Sequence, residues 1–513
     1  MKHLQIYSAV VVVALLGGLG PSSTLADEEE PGTIKQQLKV LKGVSAPSSA
    51  STPWIAPDLS SISESLKQKA PSEVDSNKAY ELAELVDLAE RLNPETRLAW
   101  DHAKEAAAAV GLAKSEYYPL LALKAYGDTA RLPVPIPLTL EKATYMDARN
   151  QELRPEATLE WVLLDFGRRA ADLRAARASL LAANLGFNAR HQQIVFKVQS
   201  AFYQLSSLRG RIGAAQASLD SALKVQEATE ERFKNGLAAA PDVSRAHQLA
   251  AQAAFDLEEV LSKERDAQVT LAESMGVLPT TPIRIVDFSR LPLPNHLEDN
   301  VERFIDRTLE QRPDLLAKVA TLRAKDAEVR RAKSAYLPTL ALEGEAGHGW
   351  DRSQIKADGR VLPWESTDQN VWGVGLALSW DLFDGGARKR KLEMARSERE
   401  AAKHELEDAK DKAISQVWQY YTSTKLAFRR LDVAAALLEA SEKSYDQTFE
   451  GYQHGLNSLV DVLDAQRALS SARYTQLDTR ATLLESTAAL AFASGDLGPR
   501  LIHRKPGTLD TTP

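Results

Sequence analysis

The 513-residue chain has no cysteine, which excludes disulfides, thiolate metal sites and a lipid carried on an N-terminal cysteine. Aromatic residues are scarce, at 6%, and proline is absent between Pro155 and Pro241 and again between Pro363 and Pro499. Long tracts of Ala, Leu, Glu, Arg and Gln without proline suit extended helices packed through small and aliphatic side chains. Past residue 26 no apolar run approaches the ~18 residues of a membrane-spanning helix, so a mature chain that enters a membrane must do so as a β-barrel. A formal charge of −7 offers no general attraction for nucleic acid, and none is expected as a partner. The nine histidines are scattered and glycine-rich phosphate loops are missing, so neither catalysis nor a metal or other cofactor is expected.

What the chain does have is a copy of itself. Ala113-Lys114-Ser115-Glu116-Tyr117-Tyr118-Pro119 returns 219 residues later as Ala332-Lys333-Ser334-Ala335-Tyr336-Leu337-Pro338. The same offset carries Trp161 onto Trp380, Asp165 onto Asp384, Gly236 onto Gly455, Asp242 onto Asp461 and Gly276 onto Gly495. A duplication that tolerates almost no insertion implies elements whose lengths are set by geometry.

Lys2, the apolar stretch from Ala9 to Leu19 and the small residues around Ala26 read as an export signal over 1–26. Residues 27–75, rich in Ser, Pro and charge, read as a flexible extension with one short helix near 35–41. Repeat 1 then covers 76–280, a proline-rich linker 281–298, repeat 2 299–495 and a tail 496–513. Each repeat holds two alternating segments, 119–131 with 152–166 and 338–350 with 369–384. In 152–164, for example, Leu153, Ala157, Leu159, Trp161 and Leu163 alternate with Arg154, Glu156, Thr158 and Glu160. Such period-two runs make strands with one apolar and one polar face, joined by polar loops at about 132–151 and 353–368. Their length, the export signal and the tryptophans Trp161, Trp372 and Trp380 near strand ends suit an outer-membrane barrel with an aromatic girdle. Four strands cannot close a barrel, so several chains must contribute.

Asp165-Phe166-Gly167 and Asp384-Gly385-Gly386 follow, with the aspartates read as turn or cap residues. Residues 168–235 and 387–454 then each suit one helix of ~100 Å. Val198, Ala201, Leu205, Leu208, Ile212, Ala215, Leu219 and Ala222 keep the 3,4 spacing of a coiled-coil seam, and Val417 to Leu438 repeat it. Turns at Gly236 and Gly455 lead into shorter helices, 241–275 and 460–494.

The order of short helix, hairpin, ~100 Å helix, glycine turn and half-length helix resembles the TolC family of outer-membrane efflux proteins. The likeness covers 80–495, and its most specific stretch runs from Tyr452-Gln453-His454-Gly455-Leu456-Asn457-Ser458 through Asp461-Val462-Leu463-Asp464. The resemblance implies an α+β membrane protein in which three chains build a twelve-stranded β-barrel, four strands each, continuous with a twelve-helix periplasmic tunnel. It implies a passive exit channel of a tripartite efflux or type I secretion system, in the outer membrane of a Gram-negative bacterium and reaching into the periplasm. Its partners would be outer-membrane lipid, a periplasmic adaptor (membrane fusion protein) and an inner-membrane pump of RND, ABC or MFS type. By position, Asp461 and Asp464 match the aspartates of the channel constriction, although acidic residues at a helix start are favoured by the dipole in any case. Tyr452 and Asp242 match residues that tie neighbouring helices shut, with a packed tip aromatic as the other reading of Tyr452. Gly236-Leu237 and Gly455-Leu456 match the adaptor contact, and also suit a plain turn with a packed leucine. Asn457 departs from the family pattern, where a basic residue stands. The alternative from another class is a secreted periplasmic coiled-coil scaffold without a pore, which would have no need of lipid-facing strands.

Overall fold

The computed structural model describes residues 74–497 apart from 76, 140–141, 287–290 and 358–359. The expected export signal, nearly all of the expected extension with the helix expected near 35–41, and the expected tail from 498 lie outside the described residues. The described elements run in the order β1 (Ala79–Tyr80), α1 (Leu82–Leu92), α2 (Pro94–Ser115), β2 (Leu120–Thr139), β3 (Lys142–Leu164), α3 (Arg168–Lys234), α4 (Ala240–Met275) and β4 (Arg284–Ile285). There follow α5 (Val301–Gln311), α6 (Pro313–Ser334), β5 (Thr339–Ala357), β6 (Arg360–Val361), β7 (Glu365–Ser379), α7 (Ala387–Gln453) and α8 (Leu459–Ala493). No described helix is long and apolar enough to cross a membrane.

The long strands form one antiparallel sheet in the order β2-β3-β5-β7, with the short β6 on the same edge of β5. Its register keeps like with like. Leu121 pairs with Leu159, Trp161 with Leu342 and Leu342 with Leu376, which puts the apolar side chains on one face. Glu160 pairs with Glu343 and Thr158 with Glu345 on the other. The strands correct the sequence reading in length. The stretch 132–151 is not a polar loop: β2 continues to Thr139 and β3 begins at Lys142. Likewise β5 runs to Ala357 and β7 starts at Glu365. Prolines 133, 135 and 137 do not break β2 because they share one parity. Their missing N–H donors all fall on one side of the strand, and the ladder on the other side keeps its bonds. At 20 and 23 residues, β2 and β3 have about twice the 9–11 residues that a tilted strand needs to cross a bilayer.

Each strand-to-helix junction is built in the same way. Asp165 accepts the backbone N–H groups of Gly167 (3.1 Å) and Arg169 (2.9 Å) and the Arg169 Nε (2.8 Å). Asp384 repeats this with Gly386 and Arg388 at 3.0, 2.9 and 2.9 Å. Both aspartates thus satisfy orphan donors at a helix start where the preceding glycine is left-handed. Trp161 donates its indole N–H to the Tyr117 carbonyl (3.0 Å), and Trp380 to that of Tyr336 (3.1 Å). Each indole therefore offers an apolar face outward and a satisfied polar edge inward, as at a membrane boundary.

The helices form the second layer. Along α3 the stripe Val198, Ala201, Leu205, Leu208, Ala215 and Ala222 is buried, with Phe202 beside it fully enclosed. α3 packs against its own hairpin partner α4 and against α2, and also against α6 and α8 of the other repeat. The linker between the repeats is held across the helices. β4 pairs in parallel with β1, Arg209 donates to the Ile283 carbonyl, and the Tyr421 hydroxyl donates to that of Asp299. This mid-height core gathers α1, α3, α4 and β4 around Leu85, Ile194, Phe202, Leu271 and Met275.

Candidate functional site: the helical tip

Far from the sheet, both long helices end at a left-handed glycine. The Gly236 N–H donates to the Phe233 carbonyl (2.9 Å) and that of Leu237 to Arg232 (2.7 Å). In the second repeat Gly455 bonds to Tyr452 (3.0 Å) and Leu456 to Gly451 (2.7 Å). Positive φ values of 73° at Gly236 and 77° at Gly455 make these reversals possible. They leave Leu237 and Leu456 65% and 82% exposed at the turn, so neither is the packed leucine that a plain turn would hold.

α8 restarts at a complete capping box. The Asp461 N–H donates to the Ser458 Oγ (3.3 Å), while the Ser458 N–H (2.9 Å) and hydroxyl (2.6 Å) donate to the Asp461 carboxylate. These donors, the hydroxyl first, hold the Asp461 carboxyl below the usual carboxylate range. One turn further on, Asp464 faces solvent beside Arg467 at 3.2 Å. Both carboxylates lie exposed on one helix face. In the first repeat Asp242 accepts the Ala239 N–H (3.2 Å) and stands 3.8 Å from Arg245, and Arg245 occupies the position of Asp464.

Tyr452 is 3% exposed and reaches across from α7 to α3. The Thr229 hydroxyl donates to the Val225 carbonyl (2.7 Å), so the Tyr452 hydroxyl is the donor in its 3.0 Å contact with Thr229 Oγ1. Arg232 completes the tie. Its Nη1 donates to the Tyr452 carbonyl (2.8 Å), its guanidinium lies 4.9 Å from the centre of the Tyr452 ring, and its Nη2 reaches the Leu237 carbonyl (3.4 Å). A cation at the C-terminal end of α7 also answers the helix dipole.

Of the two residues matched to tip closure, Tyr452 therefore bridges the repeats within one chain and Asp242 caps its own helix. The structure does not bring them together. Arg232 and Thr229 were not singled out in the sequence. The one available signal was a break in the repeat, since Arg232 falls on Gly451. Asn457 ties down its own turn, donating to the Thr448 carbonyl (3.2 Å) in the space that a side chain at Gly451 would fill. His247 of α4 adds a 3.1 Å contact with Glu230 of α3.

Comparison with known proteins agrees with this architecture. The family model described as outer membrane efflux protein matches residues 85–277 and 304–496, two stretches offset by the same 219 residues. Protein CyaE of Bordetella pertussis is 28% identical over 430 residues, spanning 83% of this chain and 86% of that protein. Outer membrane protein TolC of Vibrio cholerae is 25% identical over 355 residues, with 68% and 75% covered. Among solved structures, the outer-membrane channel OprN aligns with a TM-score of 0.69 at 21% identity, over 86% of this chain and 98% of its own. VceC of Vibrio cholerae aligns at 0.68 and 20%, over 81% and 96%.

Proposed function

Because this chain belongs to the outer membrane efflux protein family, and is an outer-membrane exit channel of a tripartite efflux or type I secretion system, we propose that the paired helical turns at its periplasmic end form the gate. Three copies complete the twelve-stranded barrel and the tunnel beneath it. The observation that carries the proposal is the pairing of a closed tie with an exposed acid pair in one place. Thr229 and Arg232 of the first repeat hold Tyr452 of the second, and one turn beyond stand Asp461 and Asp464. In a trimer this puts six carboxylates around the axis, where like charges repel one another and attract cations. Asp461 serves both as helix cap and as part of that ring, since a carboxylate has lone pairs to spare after accepting from Ser458.

The exposed Leu237 and Leu456, each beside its turn glycine, are the contact for the adaptor. They offer an apolar knob at a rigid turn, with nothing among the described residues to cover it. The energy comes from an inner-membrane pump of RND, ABC or MFS type, and the duct itself is passive.

Divalent block in planar bilayers tests the ring. Asp461→Ala with Asp464→Ala should raise the blocking concentration of a divalent cation at least tenfold, and unchanged block removes both residues from the constriction. The contribution of Asp461 depends on pH. Within one chain the Ser458 donors hold its carboxyl low, so its cap bonds are lost as pH falls through the folded value, while repulsion from the neighbouring carboxylates of the ring acts in the opposite direction.

A further inference from the structure

The apolar face of the sheet ends before the strands do. On β5 it runs from Leu340 to Trp350, ~10 residue steps or ~25 Å of height at a barrel's tilt, which matches the apolar band of an outer-membrane barrel. Trp350 and Trp372, both exposed, mark its outer edge, as Trp161 and Trp380 mark the edge beside the helices. Because the helices lie on the periplasmic side, the strand ends past Trp350 stand at and above the headgroups of the outer leaflet. The register continues there without a shift as far as Pro137 on β2 and Lys356 on β5, so each face keeps its parity.

Past the tryptophans the outward face turns basic. Arg352 follows Trp350 by two residues, and its guanidinium lies 5.3 Å from the centre of the Trp364 ring. Arg149 of β3 stands directly opposite Arg131 of β2, and Arg352 and Lys356 of β5 are its two diagonal neighbours. Diagonal neighbours on one face lie about 7–8 Å apart, so four long basic side chains surround one position. All four are exposed. Two carboxylates share this face. Asp147 is opposite Lys356 but is engaged by Arg131, whose Nε donates to both its oxygens (2.7 and 2.9 Å). Asp368 of β7, opposite Trp350, lies 3.9 Å from His348 Nε2. Arg149 and Lys356 have no ion pair of their own among the described residues, and the patch keeps a net charge of +2. The lumenal face is the reverse at this height: Asp128, Glu152 and Asp351 form one row, with Arg154 beside Glu152 (2.6 Å). Charge is thus sorted by face, where a merely solvated surface would mix the signs.

We propose that this patch binds a phosphate-bearing lipid headgroup of the outer leaflet, with Arg149 at its centre and Arg131, Arg352 and Lys356 around it. An arginine fork meets a phosphate with two parallel hydrogen bonds, and Lys356 adds a point charge with three donors. The acyl chains of the same lipid lie on the apolar band below Trp350, so head and tails find their partners together. That continuity favours a lipid over free phosphate, which gains nothing from the band. Arg149, Arg352 and Lys356 sit on the two central strands of the chain's own sheet, so each copy carries the centre of a site on its outside. The bound lipid fixes the height of the barrel in the membrane and leaves the cargo path, on the other face, untouched. The proposal is independent of the gate at the tip.

Native mass spectrometry of the full-length protein in detergent, loaded with diphosphorylated lipid A or with phosphatidylcholine, tests this. Wild type should hold lipid A at least tenfold more tightly than phosphatidylcholine. Arg149→Gln and Lys356→Gln should each weaken lipid A binding about fivefold, and the double variant at least tenfold. Neither side chain has an ion pair to lose, so heat-dissociation temperature and conductance, recorded in parallel, should stay at the wild-type values. The single variants carry the test on their own if the double variant assembles poorly. Lys124→Gln, which removes a cation from the lumenal face, should leave lipid A binding unchanged. Equal binding of lipid A by wild type and the folded variants overturns the site. Equal binding of the two lipids by wild type also overturns it and leaves the apolar band as the whole lipid contact. Inorganic phosphate that displaces lipid A as well as an equal concentration of free lipid A does would make the patch a general anion site and overturn the lipid assignment.

Discussion

Arg232→Ala is expected to open the channel. The substitution removes a charged donor from the Tyr452 carbonyl at the C-terminal end of α7 and a cation from the face of the Tyr452 ring. A hydrogen bond to a charged group contributes about 1.5–3 kcal/mol, and a partly exposed cation–ring contact about 0.5–1 kcal/mol. Since each 1.4 kcal/mol is a factor of ten, the ratio of open to closed tips should rise by about one and a half to three orders of magnitude. In planar bilayers this appears as longer or larger openings, with the trimer otherwise intact. Tyr452→Phe is the milder partner. It removes one buried hydroxyl, while Thr229 keeps its bond to Val225, so a change of about 0.5–1.5 kcal/mol is expected. Arg232→Lys should fall between wild type and Arg232→Ala, because an ammonium keeps the charge and loses the planar fork. Unchanged conductance in Arg232→Ala would remove this contact from the gate.

The second large effect concerns assembly. Gly276 and Gly236 have the same φ of 73°, yet they are not equivalent. A Cβ at Gly236 meets nothing within 4 Å, so Gly236→Ala carries only the cost of a left-handed alanine, about 1–2 kcal/mol. A Cβ at Gly276 would stand 2.7 Å from Asn93 Cα and 2.8 Å from Pro94 Cδ. These are backbone and ring atoms with little freedom to yield. They belong to the start of α2, where Asn93 caps the helix through the Glu95 N–H and also donates to the Ser274 carbonyl. Gly276→Ala must push α2 away from the end of α4 in the mid-height core. It should therefore cost more than Gly236→Ala by the overpacking, about 1–3 kcal/mol. Folded trimer recovered from outer membranes, and its heat-dissociation temperature, measure the difference. Equal yields for the two variants would mean that the α2–α4 contact is softer than its geometry implies.

The hairpins, the long helices and the glycine turns were legible in the sequence because each rests on a local rule. Alternation over nine or more residues specifies a two-faced strand, and absence of proline over more than eighty residues permits an unbroken helix. The strand ends were not legible. Polarity and proline at 132–151 carry the composition of a loop, and only pairing with β3 decides that prolines of one parity can stay in a strand. The candidate site divides in the same way. Asp461 and its Ser458 cap are separated by three residues and could be read as a capping box. Arg232 and Tyr452 are 220 residues apart, and no spacing rule connects them.

By itself, then, the sequence determined the order of the long helices and hairpins, the two faces of each strand and the offset of 219 residues. Those properties follow from periodicity and backbone chemistry within each segment. Only the tertiary structure decided which tip residues touch, and that Tyr452 reaches Thr229 while Asp242 turns back to its own helix. Contacts of that kind depend on which faces two distant helices present to each other. A duplicated sequence leaves that choice open, because either copy could meet its own twin or that of the next chain.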